Sequence, residues 1–342
     1  MSPAPLQQFD PMAYLTLAFL FGIAGQFGAM DGDSFLKRVV SGFEARVGVL
    51  YSVVIVAGLF SPVILNDVVI VILTPVIIRY SREFGVDPAP LLVAEITTVN
   101  IASSLTPIGN PQNILLWSES MATFGEFVAG TWVAVLASMA IASLALLPLA
   151  TKVGRTKVGP AKLTSIRPGI YLAAVAATAV LLDLAGMPPW VSLGAGFLLG
   201  FPFTFRSLGR LAAGFDLRSL LTLYVFIGGV TLLSVVISPV ISQSVQPVAS
   251  GAQPYSALFV GSVSNVISNV PATQLILNTV RVSAQVAPKI AVEAGLAGNI
   301  GPIGSFANLL ALQMARRAGL PIRRTILLQL AIGVVSFAPA FL

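Results

Sequence analysis

Charged residues interrupt this chain rarely and in particular places. Stretches 11–30, 127–151, 219–280 and 325–342 carry no Asp, Glu, Lys or Arg, and a helix needs about 20 apolar residues to cross a bilayer. The pattern predicts spans over 11–30, 90–118, 127–150, 168–185, 189–205, 219–238, 290–315 and 325–342, with helical pairs over 47–80 and 254–280. The pairs do not read as ordinary double spans. After Asn66-Asp67 the apolar run VVIVILTPVII meets Arg79 before it is long enough to cross. Re-entrant hairpins fit better, and irregular backbone at that depth must be buried in protein or line a cavity.

Composition sharpens the class. Only 9% of the 342 residues are charged and 56% are hydrophobic, against about 25% charged in a soluble domain. The expectation is an all-α integral membrane protein. Cysteine and histidine are both absent, which excludes disulfides, thiolate metal sites, His relays and Cys nucleophiles. No Lys or Arg precedes Lys37, so the basic start of a secretory signal is missing and 11–30 reads as a retained helix.

The net charge of +6 reads as biased loops rather than a nucleic-acid surface. If each helical pair enters and leaves on one side, all 19 basic residues except Arg281 and Lys289 collect on one face. Basic residues favour the cytoplasmic side. The expectation is therefore a multi-pass cell-membrane protein with cytoplasmic basic loops and both termini outside. The same parity makes hairpin 47–80 dip from the cytoplasm and hairpin 254–280 from outside, as two inverted-topology repeats require. Their bounds are 1–150 and 168–342, joined by a basic linker over 151–167.

Self-comparison supports the repeat. PIG occurs at 107–109 and at 302–304, each followed by an Asn (Asn113, Asn308). A hairpin with a polar tip precedes each, ILND at 64–67 and ISNVP at 267–271, and LAFLFGIAGQF (17–27) parallels LYVFIGGVTLL (223–233). The nine asparagines all fall within 66–113 and 265–308. Burying an unpaired amide in hydrocarbon costs several kcal/mol, so this clustering points to a site, against the blander reading of caps on broken helices. Within TPIGNPQN (106–113), Pro107, Gly109 and Pro111 interrupt the helix near mid-membrane. The break exposes a helix N-terminus that suits an anion or electron-rich oxygen, and carbonyls that can hold a cation. Asn110 and Asn113 add amides at the same depth. Ser305 and Asn308 do so after Pro302 and Gly304.

NDVVIVILTP (66–75), NIASSLTPIGNPQNI (100–114), SNVISNVPATQLI (264–276) and GNIGPIGSFANLLA (298–311) resemble the ion transporter superfamily. That superfamily includes arsenite permeases, citrate transporters, a sodium–proton antiporter branch and the divalent anion/sodium symporters. The resemblance implies an elevator-type transporter with a re-entrant hairpin and a discontinuous helix in each repeat, and a scaffold carrying homodimer contacts. It places substrate or ion contacts at Asn66, Asp67, Asn100, Thr106, Gly109, Asn110, Asn113, Ser268, Asn269, Asn299, Gly304, Ser305 and Asn308. Sodium, if used, would bind near Asn66, Asn110 and Asn269; no other cofactor is implied. The sodium–dicarboxylate branch has Ser-Asn-Thr at both tips, and neither tip here matches fully; Asn-Asp is closer to the arsenite-permease branch. Three helices precede the second hairpin and one the first, so the chain is a minimal member or begins part-way into one.

Four carboxylates fall within or beside spans: Asp67, Glu95, Asp183 and Glu293. An ionisable group inside a membrane segment is a functional candidate by default. Asp67 reads equally as a coupling group and as a cap on a helix starting at Val68. Glu95 reads as a coupling group, whereas Asp183 and Glu293 read as lying near outer helix ends. No Lys, Arg or His reaches the expected midplane, so an uncharged oxyacid or a singly charged ion has the easier electrostatic task. The reading is a proton-coupled secondary transporter of a small anion or oxyacid, not an enzyme. Alternatives are sodium coupling, a sodium–proton antiporter, a sodium-coupled di- or tricarboxylate carrier and a passive channel. Phe35, Leu36, Val39, Val40 and Phe43 share one face of 31–46 and predict an interfacial helix.

Overall fold

The computed structural model describes residues 11–153, 165–205, 209 and 217–342. The centre of the linker 151–167 and most of the basic connector 206–218 lie outside these residues. Among the described residues the chain is helical throughout, with no strand. The helices are α1 (Pro11–Ala29), α2 (Gly32–Phe60), α3 (Asn66–Phe84), α4 (Pro88–Ser103), α5 (Pro111–Ser120), α6 (Phe124–Val153) and α7 (Arg167–Leu184). They continue with α8 (Pro189–Thr204), α9 (Leu217–Ala249), α10 (Tyr255–Ile267), α11 (Asn269–Thr279), α12 (Ala287–Ala297), α13 (Phe306–Arg317), α14 (Arg323–Ser336) and a closing 3₁₀ turn, Ala338–Phe341.

By length and composition α6, α7 and the segment Arg323–Phe341 can each cross a membrane. Leu136 and Leu144 on α6, Leu181 on α7, Leu198 on α8 and Leu232 on α9 are exposed. Such a wide apolar surface is what lipid, rather than water, covers. The interior is different. Every residue of α4 after Pro88 is buried, and so is every residue of α12 except Lys289. Helices apolar on all sides belong inside the protein, and these two form its axis.

They cross antiparallel. Asn299 Nδ2 donates to the Thr97 carbonyl at 3.3 Å, and Asn100 Nδ2 donates to Asn299 Oδ1 at 3.0 Å. Further along α4, Gly295 lies so close to Ser104 that a Cβ there would sit 1.9 Å from Ser104 Oγ. As numbers rise on one helix they fall on the other. Around this axis α3 packs along α13 and α11 along α5, while α6 and α14 brace α4 from outside.

Two expectations need correction. The span 219–238 ends too early: α9 runs to Ala249, bent by 82° between its parts Gly228–Ser234 and Val236–Ala249. Pro239 lacks an N–H and crowds the carbonyl four residues back, at position 235, which is where the bend falls. The amphipathic segment 31–46 is helical but faces protein rather than an open interface. Leu36 and Val40 are buried, and Phe35 stacks edge-on against Phe60 with centroids 5.8 Å apart. It is continuous with the first hairpin arm in α2, kinked at Gly48, whose φ of 77° suits a residue without Cβ.

Candidate transport site

The chain leaves the helix at 104–110 and again at 298–305. Pro107 and Pro302, with Gly109 and Gly304, disfavour continued helix there, and every freed carbonyl inside a membrane needs a partner. Side chains supply them. Asn113 Nδ2 donates to the carbonyls of Ser103 (2.9 Å) and Thr106 (2.8 Å). Asn308 Nδ2 does the same to Gly298 (2.5 Å) and Gly301 (2.9 Å). Thr131 Oγ1 of α6 donates to the Leu105 carbonyl at 2.8 Å, and Gln329 Nε2 of α14 donates to that of Gly301 at 3.1 Å. Asn265 Nδ2 donates to the Ala297 carbonyl at 3.1 Å, and Thr106 Oγ1 to that of Pro62.

Each hairpin tip is pinned to a break in the same way. The Asn66 N–H donates to the Gly109 carbonyl at 3.0 Å, and the Asn269 N–H to the Gly304 carbonyl at 3.1 Å. At both tips the Asn Oδ1 accepts the next N–H, from Asp67 at 2.8 Å and from Val270 at 2.9 Å. The helix after the first tip thus starts at Asn66 rather than Val68, and Asn66, not Asp67, holds its first N–H. Asp67 is buried within the first turn, where the helix dipole favours a negative group. The second tip carries strain: Ser268 has φ 74° and ψ 157°, a region populated essentially by glycine.

The two breaks meet through Asn100. Its Nδ2 reaches Asn299 Oδ1 and also Asn308 Oδ1, the latter at 2.8 Å. Eleven of the thirteen expected contact residues lie on the tips, the breaks or the α4–α12 crossing, and Asn113 and Asn308 lie in the first turns of α5 and α13. Asn66, Asn100, Asn110, Asn113, Asn269, Asn299, Ser305 and Asn308 are buried to within 1%. Much of their capacity is engaged by backbone, as the capping reading held. What remains unengaged by protein is specific: Oδ1 of Asn100, Asn110 and Asn113, Nδ2 of Asn269 and Oγ of Ser305.

Sequence reasoning missed several neighbours. Gln112 is fully buried with both amide atoms unengaged, and Thr273 Oγ1 on α11 is likewise free. Gln112 lies inside the quoted TPIGNPQN motif, so its amide was there to be read. Glu95 is fully buried and Thr74 Oγ1 of α3 lies 3.0 Å from both its oxygens. Asp183 caps α6, accepting the Phe124 N–H at 2.7 Å. Glu293 is fully buried on α12, and Gln253, in the connection before α10, donates to its Oε1. No group of His, Cys, Asp or Glu among the described residues is placed to hold a metal ion.

The constellation offers a solute neutral amides, hydroxyls and backbone groups. The sequence profile of the citrate transporter family matches residues 4–301. The chain is 31% identical over 287 residues to the inner membrane protein YbiR of Escherichia coli, covering 82% of this chain and 73% of that protein. An uncharacterised transporter of Mycobacterium tuberculosis is 27% identical over 308 residues, 81% of this chain and 72% of its own. The silicon efflux transporter LSI3 of rice is 40% identical over 87 residues, 25% of this chain and 18% of that protein. The family and two of these relatives are named as transporters, not enzymes, and this chain, with its paired tips and fractured helices, belongs to the citrate transporter family.

Proposed function

We propose that the chain is a proton-driven secondary transporter of a small uncharged oxyacid of the arsenous or silicic acid type. The observation that carries this reading is the chemistry of the buried centre. Segments 66–70, 97–113, 264–278 and 295–308 contain no Lys or Arg, and the groups unengaged there are amide and hydroxyl atoms. A di- or trianion would lose its hydration with no counter-charge in return. Hydroxyls of an uncharged oxyacid exchange water for amides at little cost. The rice relative is named for silicon, an element that dissolves as an uncharged oxyacid.

Two inverted-topology repeats moving as an elevator fit the antiparallel α4–α12 crossing and the matched tip-to-break bonds. In this reading the basic loops are cytoplasmic, the membrane is the cell membrane, and α1 with α7–α9 forms a scaffold that carries homodimer contacts. Protons are favoured over sodium because Oδ1 of Asn66 and Oδ1 of Asn269 already accept helix N–H groups. The unengaged atom of Asn269 is its Nδ2, a donor that cannot ligate a cation. Glu95, alone or with Asp67, carries the coupled proton.

The test is uptake by proteoliposomes of arsenite, silicic acid, sulfate, citrate and succinate under imposed pH or sodium gradients. Accumulation of arsenite or silicic acid driven by the pH gradient is expected. Sodium-driven accumulation of citrate or succinate, or equilibration without accumulation, overturns it. Asp67→Asn and Glu95→Gln, singly and together, must impair the pH-driven component if these carboxyls carry the proton.

A further inference from the structure

Glu293 has no role in the reading above, yet its surroundings repeat those of Glu95. Each carboxyl is fully buried on the helix that leads into a break, Glu95 on α4 and Glu293 on α12. Each is held by a hydroxyl from its own hairpin: Thr74 of α3 for Glu95, and Ser256 of α10 for Glu293, where Oγ donates to Oε2 at 2.7 Å. Gln253 Nε2 donates to Glu293 Oε1 at 2.6 Å, and Gln253 Oε1 is buried without a partner. At a rise of about 1.5 Å per residue, Glu95 stands about 13 Å and Glu293 about 7 Å from the start of its break. Because α4 and α12 cross antiparallel, those displacements point in opposite directions from the amide centre.

We propose that Glu293, with Ser256 and Gln253, is a second proton-binding site that loads and releases a coupled proton on the side of the centre opposite Glu95. The proposal rests on the proton-driven reading. A hydroxyl partner suits both states of a carboxyl. With Glu293 ionised, Ser256 O–H donates to the carboxylate. When a proton from water adds to Oε2, the new O–H donates to Ser256 Oγ, whose own hydrogen turns elsewhere. Gln253 donates to Oε1 in both states, so the carboxyl keeps two hydrogen bonds in either form.

The charged group facing Glu293 on its own helix is Lys289, one turn earlier and exposed. The titratable groups on the helices packed against α12 are Glu95 on α4, Glu119 on α5, Glu126 and Lys152 on α6, Tyr255 on α10, and Arg323 and Arg324 on α14. Among the described residues none of them forms an ion pair with Glu293. A buried carboxyl without an ion-pair partner holds its charge poorly, and a proton is the smallest group that relieves it.

The direct test is infrared spectroscopy of the full chain in lipid nanodiscs across a pH series, reading the C=O band of protonated carboxyls. Glu293→Gln preserves the shape and both hydrogen bonds, so folding is retained. It should remove one component of that band, Glu95→Gln a second, and the double variant both. Ser256→Ala, which leaves the carboxyl in place, should shift the Glu293 component. Loss of no component in Glu293→Gln, or no shift in Ser256→Ala, overturns the proposal. In proteoliposomes loaded with arsenite, Glu293→Gln should lower the number of protons moved per arsenite. If wild-type protein moves arsenite with no protons while the infrared component titrates, the transport reading fails and Glu293 still binds a proton.

Discussion

Asn100 donates its side-chain amide to Asn308 at 2.8 Å, across 208 positions of sequence. The same NH₂ reaches Asn299, so one side chain ties the first pre-break helix to the break of the other half. Removing it leaves two buried carbonyl oxygens short of a donor, at about 1–3 kcal/mol each. Asn100→Ala should lower the unfolding midpoint in detergent by several degrees. Asn100→Asp, of nearly the same size, places a third acceptor against those two and should cost more at neutral pH. Equal midpoints for both variants would show that the amide's direction does not matter.

The two breaks differ in how tightly they close. A Cβ on Gly109 would lie 2.3 Å from the Ser103 carbonyl oxygen, whereas on Gly304 the nearest contacts are at 3.1 Å. Gly109→Ala must therefore shift backbone and disturb the bond from Asn66, while Gly304→Ala needs only a few tenths of an ångström. Overpacking costs about 1–3 kcal/mol where side chains can adjust, so Gly304→Ala belongs in that range and Gly109→Ala above it. Thermal unfolding of both variants in one detergent checks the order. Arsenite uptake should fall further for Gly109→Ala.

Much of this centre is legible in the sequence because a proline and a glycine two residues apart, at 107 and 109 and again at 302 and 304, weaken helix at matched places in both halves. The asparagines are legible for a related reason: an amide in lipid is too costly to place without a partner. Glu95 and Thr74 are harder to read as a pair, since they sit 21 positions apart on different helices and a lone Thr in an apolar run signals nothing. The burial of Glu293 is equally hard to read, since its partners Ser256 and Gln253 lie 37 and 40 positions away. The polar letters SQSVQP after Val240 suggest a loop, yet α9 continues through them to Ala249. Which atoms of the asparagines brace backbone and which are unengaged depends on side-chain direction, which no pattern encodes.

Ser268 holds a backbone conformation that costs a non-glycine residue about 1–3 kcal/mol. The first tip has no such strain: Leu65, which precedes Asn66, has φ −45° and ψ 134°. Ser268→Gly should therefore raise the unfolding midpoint. Its Oγ donates to Asn269 Oδ1 at 3.5 Å, so the same variant should transport more slowly. A midpoint unchanged or lowered by the glycine would show that the strain is absent in the membrane.

Arg324 pairs with Asp87 between α14 and the start of α4, with both side chains more than a third exposed. Exposed pairs contribute about 0–1 kcal/mol, and Arg324→Gln should be nearly silent. Asp87 also caps α4, accepting the Ala89 N–H at 3.0 Å, and losing a cap costs about 0.5–2 kcal/mol. Asp87→Ala should thus cost clearly more than Arg324→Gln. Unfolding at low and high salt separates the contributions, since only the ion pair is screened.

Thr74 tests whether the buried carboxyl of Glu95 works through its hydroxyl. Thr74→Ser keeps an oxygen 3.0 Å from both carboxylate atoms, whereas Thr74→Val keeps the shape and removes it. With valine, neither the ionised nor the protonated carboxyl has this hydrogen-bond partner, and each is left with a buried polar atom unsatisfied. pH-driven accumulation of arsenite should fall at least tenfold in Thr74→Val and stay within about threefold of wild type in Thr74→Ser, a tenfold change being about 1.4 kcal/mol. Counterflow, which needs solute binding but no net proton movement, should survive in both. Equal loss of counterflow and accumulation would mean that Thr74 shapes the solute pocket instead, and the coupling role of Glu95 would then lose its partner.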